Sequence, residues 1–167
     1  MHVCERTNLP LPDRRKFFSM LKIPPPIWGI VSLVALYFLS ALPVFQTLPD
    51  WSNRIAAIVF LILGFAPSVV AIAQFRRAGT QVRPDSETNN KLIVGGLYRI
   101  TRNPMYLGMI FFTLGVSFWF GRPLMFLSPV LVFVITNWLF IPFEEAKMRR
   151  QFGGEFDAYT ARVRRWI

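Results

Sequence analysis

Residues 55–75 read IAAIVFLILGFAPSVVAIAQF, a run without one charged side chain. A helix needs about 20 apolar residues to cross a bilayer core, so this stretch is long enough to span one. Working outward, three more charge-free runs appear: 27–45 (IWGIVSLVALYFLSALPVF), 104–120 (PMYLGMIFFTLGVSFWF) and 123–143 (PLMFLSPVLVFVITNWLFIPF). The run 104–120 lies at the short end of the range of roughly 17–25 residues. Pro67 and Pro129 fall inside runs, which is tolerable where neighbouring helices re-satisfy the freed backbone groups. Four such runs in 167 residues predict an all-α integral membrane protein with about four transmembrane helices.

The charges supply an orientation. Of 19 Lys and Arg, all but Arg54 and Arg122 fall in 1–26, in 76–103 or after residue 143. The positive-inside rule then places both termini and the 76–103 segment in the cytoplasm, as a multi-pass protein of the cytoplasmic membrane if the source is bacterial. Pro24-Pro25-Pro26, with no clean small-residue cleavage site, argues against a removed signal peptide. The excess of 19 basic over 9 acidic residues is explained by this topology and by anionic headgroups. No nucleic-acid readout motif accompanies it. Cys4 and His2 are single, which excludes a disulfide scaffold and leaves no Cys/His metal site.

With short connections on the far side, chemistry belongs to the cytoplasmic face. Asn103 followed by Pro104 reads as a helix start, with Arg99 and Arg102 just before it, a place for an anionic group. Tyr98 and Tyr106 also fit an interfacial aromatic belt. Gly108 and Gly115, seven apart, suit close helix packing. Asn137 and Glu144, also seven apart, should share one helix face. Glu145 can pair with Arg149 at i+4, whereas Glu144 faces Met148 at that spacing and needs a partner elsewhere. After Gly153-Gly154, EFDAYTARVRRWI reads as an amphipathic helix at the cytoplasmic face.

Two blocks, GGLYRITRNPMYLG at 95–108 and EEAKMRRQFGGEFDAYTARVRRWI at 144–167, resemble the isoprenylcysteine carboxyl methyltransferase and phospholipid methyltransferase superfamily. The resemblance covers about 76–167 and implies one domain: a cytoplasmic segment 1–26, a two-span half 27–75, and a cofactor-binding half 76–167. It implies an integral membrane enzyme using S-adenosyl-L-methionine, with a lipophilic or membrane-embedded acceptor and no metal. By motif, the cofactor-contacting positions are Leu92, Ile93, Tyr98, Asn103, Pro104, Met105, Tyr106 and Glu144. Arg102 and Glu144 are the implied catalytic-site residues. Asn103 stands where eukaryotic carboxyl methyltransferases have histidine. Phe140 stands where they have an arginine suited to a substrate carboxylate, so an amine, thiol or other headgroup fits as well as a prenylcysteine carboxylate. No general base is evident, and the acceptor is left open. An NADPH-dependent membrane reductase related to sterol reductases and a non-enzymatic membrane scaffold are the alternatives.

Overall fold

The structure, a computed structural model, describes residues 23–77 and 92–167. The basic residues of 1–22, with Arg83 and Lys91, lie outside them. Every regular element among the described residues is helical. Helix α1 runs Pro25–Leu39, α2 Arg54–Arg77 and α3 Pro104–Phe120. A single rod then runs through α4 (Leu127–Ile135), a π-helical turn Thr136–Phe140, and α5 (Ile141–Phe152), and α6 (Gly154–Arg162) follows.

Prolines set several boundaries. Pro25 and Pro104 each occupy the first helical position, where the missing N–H costs nothing. Pro43 forces Leu42 into an extended conformation, so the 27–45 run does not form one helix: α1 ends at Leu39 and a 3-10 turn covers Pro43–Phe45. At 15 residues, α1 is about 22 Å long. By length and apolarity, Arg54–Gln74 and Pro123–Phe152 can each cross a bilayer, whereas Pro25–Leu39 and Pro104–Phe120 are shorter apolar helices.

The central packing unit is the antiparallel pair α2–α3. Gly64 on α2 meets Gly108 and Phe112 on α3, and Gly115 meets Ala57 and Leu61. A Cβ at Gly64 would lie 2.6 Å from the Phe112 nitrogen, and one at Gly115 would lie 2.8 Å from the Leu61 nitrogen. The glycines therefore allow backbone-to-backbone contact, as their spacing predicts. Where α3 ends and α2 begins, Gly121, at φ 70°, ties the two connections together, its carbonyl accepting the Trp51 N–H at 2.8 Å. Helix α1 lies against α4, where the Ser32 and Ser128 hydroxyls bond at 2.6 Å.

The outward faces are apolar. Ile55 is 78% exposed, Phe38 68%, Trp138 64% and Phe65 61%. Only 17% of the most apolar stretch of α2 is buried among the described residues. Such a contiguous apolar girdle matches lipid rather than water.

Candidate functional site

One end of the bundle, where α1 begins, α2 ends and α3 begins, gathers a cluster of polar contacts between elements, and proline again shapes it. Pro142 has no N–H to give the helix and crowds the carbonyl four residues back. The rod widens just before it, and the Ile141 N–H bonds the Thr136 carbonyl five residues earlier. The Thr136 hydroxyl donates to the Val132 carbonyl at 2.7 Å. A π turn holds one more residue than an α turn, which rotates everything beyond it by about 100°.

That extra residue decides which side chains meet. Asn137 and Glu144, predicted to share a face, have different partners. Glu144 Oε1 accepts the Tyr106 hydroxyl at 2.6 Å, whereas Asn137 Oδ1 accepts the Trp166 indole N–H at 3.1 Å. It is Glu145, eight residues on, that shares Arg165 with Asn137. Arg165 grips Glu145 as a fork, Nη2 to Oε2 at 2.7 Å and Nε to Oε1 at 3.2 Å, and its Nη1 reaches Asn137 Oδ1 at 3.5 Å.

Arg102 Nη2 completes this cluster at 3.3 Å from Glu145 Oε1. Arg102 therefore pairs with Glu145, not with Glu144. The i+4 pair of Glu145 with Arg149 does not form. Arg149 turns to Asp157 at 2.8 Å, both exposed, because two better-buried guanidiniums already hold Glu145.

Behind α6 the last residues fold back as a strap. The Arg164 carbonyl accepts the Arg102 N–H at 3.1 Å, and the Arg165 carbonyl accepts Thr101 Oγ1 at 3.1 Å and Asn103 Nδ2 at 3.0 Å. Asn103 does precede the helix, but its side chain serves this tail and makes no capping bond. The predicted amphipathic helix thus ends at Arg162, and RRW at 164–166 does separate work.

Tyr98 sits in the 3-10 turn Gly96–Arg99, and its carbonyl accepts the Tyr159 hydroxyl at 2.7 Å. Burial, then Tyr159 and Glu144, push the Tyr98 phenol well above its ordinary range. Burial pushes Tyr159 up to about 12, with Arg102 opposing. Both phenols are neutral donors at neutral pH. Gly96 has φ 59° and lies against the Gln74 side chain at the end of α2. Leu92, Ile93 and Met105 are half-buried and offer apolar surface, and Pro104 is buried.

Three buried side-chain atoms lack a hydrogen-bond partner among the described residues: Trp28 Nε1, Gln74 Oε1 and Arg102 Nε. Trp28 starts α1, Gln74 ends α2 and Arg102 precedes α3, so all three fall at this end. Buried polar groups are nearly always paired, and each exception needs a reason.

Of the residues singled out by sequence, Tyr106 and Glu144 are brought into direct contact, and Arg102 and Asn103 are tied to the tail. Sequence reasoning missed Arg165, Trp166, Thr101, Gln74 and Trp28. Only Arg165 had a signal, as the final arginine of the second block.

Residues 52–155 match the family model described as Phospholipid methyltransferase. The "Probable protein-S-isoprenylcysteine O-methyltransferase" of Oryza sativa, in both indica and japonica, is 30% identical over 118 residues, covering 68% of this chain and 60% of the rice protein. "Protein-S-isoprenylcysteine O-methyltransferase B" of Arabidopsis thaliana is 28% identical over 111 residues, covering 64% of this chain and 54% of the relative. The chain thus spans 60% or less of the length of these plant relatives. No solved structure matches.

Proposed function

The chain belongs to the phospholipid methyltransferase family, and from that premise we propose that it is an integral membrane enzyme moving a methyl group from S-adenosyl-L-methionine to a lipophilic acceptor at the cytoplasmic face. The observation that carries this reading is the convergence at one bundle end of the half-buried Glu144 carboxyl, the phenols of Tyr106 (buried) and Tyr98 (half-buried), and three polar atoms unpaired among the described residues. The unpaired set holds both kinds of group. Arg102 Nε is a cationic donor suited to a carboxylate, and Gln74 Oε1 is an acceptor suited to an amine or hydroxyl. The cofactor carries all three.

When bound, S-adenosyl-L-methionine supplies a methyl group on a cationic sulfur. In this reading Glu144 accepts from a hydroxyl or cationic part of the cofactor, and Tyr106 fixes the carboxylate while its ring face favours positive charge. Leu92, Ile93 and Met105 give apolar contact, and Tyr98, Asn103 and Pro104 frame the entrance to α3. Arg102, aligned through Glu145 and Arg165, draws an anion with the free edge of its guanidinium. Holding two reactants in line contributes about 7–11 kcal/mol without a metal or covalent nucleophile. An acceptor that is itself nucleophilic, such as an amine, thiolate or carboxylate, needs no general base.

The apolar girdle and the distribution of basic residues support four spans with both termini inside. The two short helices, α1 and α3, cross with little tilt in this arrangement. The test is incubation of membranes holding the protein with methyl-tritiated cofactor. Label in the lipid-extractable fraction, lost in Glu144→Ala, supports the reading, and no label above empty membranes contradicts it.

A further inference from the structure

Trp28 lies outside the residues that match the family, yet it packs against the cluster of Tyr106, Phe140 and Ile141 beside the candidate site. Its indole nitrogen is buried without a partner among the described residues. An indole serving as a membrane-interface anchor keeps its N–H wet, and a buried one normally finds an acceptor. Trp166 in the same cluster does so, on Asn137. The cluster that Trp28 packs against accounts for the difference: Phe140 and Ile141 hold no side-chain oxygen, and the Tyr106 hydroxyl already donates to Glu144. Leaving such a donor unpaired is unfavourable, and an apolar ring without the nitrogen would avoid that penalty.

Resting on the methyltransferase reading, we infer that Trp28 is the acceptor-contacting residue of this chain. Its indole N–H donates to an oxygen of the acceptor headgroup, and the aliphatic and aromatic cluster around it takes the first part of an apolar chain. The acceptor is therefore a lipid with a hydrogen-bond-accepting oxygen, phosphodiester or carboxylate, close to the atom that is methylated. A bare hydrocarbon amine or thiol leaves the indole unpaired.

The test follows the indole itself. Protein labelled with indole-15N tryptophan, in dodecylmaltoside and saturated with S-adenosylhomocysteine, is titrated separately with dioleoylphosphatidylethanolamine, N-acetyl-S-farnesylcysteine and octadecane. Trp28→Phe assigns the resonance, and retained homocysteine-product binding shows that the variant is folded. The expected result is a downfield shift of the Trp28 N–H with one of the oxygen-bearing probes and none with octadecane. Trp28→Phe then weakens that probe about tenfold and leaves the product's affinity unchanged. A phosphatidylethanolamine response identifies a phosphodiester oxygen, and a farnesylcysteine response a carboxylate. A resonance unmoved by both, or already moved by S-adenosylhomocysteine alone, overturns the inference. Failure of the unmodified protein to bind S-adenosylhomocysteine removes the methyltransferase reading, and the inference with it.

Discussion

The Tyr106 hydroxyl stands 2.6 Å from Glu144 Oε1, joining the first turn of α3 to the first turn of α5 across 38 positions of sequence. This bond sets the direction in which the carboxylate points. Tyr106→Phe keeps the ring and removes the donor. An intramolecular hydrogen bond is worth about 0.5–1.5 kcal/mol net, so a loss of that order is expected in the affinity for S-adenosylhomocysteine, together with a lowered melting temperature. Calorimetric titration and thermal unfolding of the variant in detergent check both.

The small-residue seam gives a prediction about stability alone. Gly64→Val places side-chain atoms where the backbone of Phe112 already lies, and α2 and α3 must separate. We expect at least about 1–3 kcal/mol of destabilisation, the ordinary cost of overpacking. Gly154→Ala, with open space around it, should change stability by a few tenths of that at most. Thermal unfolding of the two variants side by side decides the matter.

The two acidic-basic contacts of the C-terminal region should differ sharply. The Arg149–Asp157 pair is more than half exposed on both sides, so Arg149→Leu should cost less than about 1 kcal/mol. Arg165→Leu removes a bidentate fork from Glu145, which is only 16% exposed, and frees the strap over residues 101–103. Its expected effect is a several-fold weaker grip on S-adenosylhomocysteine. Equal effects of the two variants on that affinity would contradict the role given to Arg165.

Alkaline pH should loosen the fold in a defined window. The Tyr159 phenol is raised from 10.0 to about 12 by burial, and Tyr98 is raised as well. Below pH 10 these tyrosines are protonated in both folded and unfolded chains, and stability is unaffected by them. Between about 10 and 12 the unfolded chain releases protons that the folded chain keeps, so stability falls as pH rises. Unfolding followed from pH 7 to 12 should be flat at first and then decline. Tyr159→Phe should reduce the decline while lowering stability at neutral pH, because the bond to the Tyr98 carbonyl is lost.

Orientation can be tested by reporter fusions. Alkaline phosphatase fused after residue 50 or 121 should be active, and a fusion after 167 inactive, if both termini are cytoplasmic. The reverse pattern would place the candidate site on the other face.

Much of this architecture is legible in the apolar runs, because a charge-free stretch bounded by proline or glycine leaves the chain few choices. Helices over 54–77 and 104–120 and the glycine seam follow directly. The rod formed by α4, the π turn and α5 shows where such reading stops. Asn137 and Glu144 share a face only if the helix is α throughout, and Pro142 makes it otherwise by inserting a π turn. One residue of slippage moved the partnership from Glu144 to Glu145. The strap is likewise invisible to periodicity, since its bonds run between backbone carbonyls at 164–165 and side chains at 101–103. Trp28 carries no local sign of importance, because an unpaired donor can be seen only once its neighbours are placed.

The most direct measurement is a calorimetric titration of the detergent-solubilised protein with S-adenosylhomocysteine, with NADPH in parallel and Glu144→Ala as the control. Saturable binding of S-adenosylhomocysteine that Glu144→Ala abolishes, with no binding of NADPH, is the expected result. Saturable NADPH binding, or a folded protein that binds neither, would contradict it.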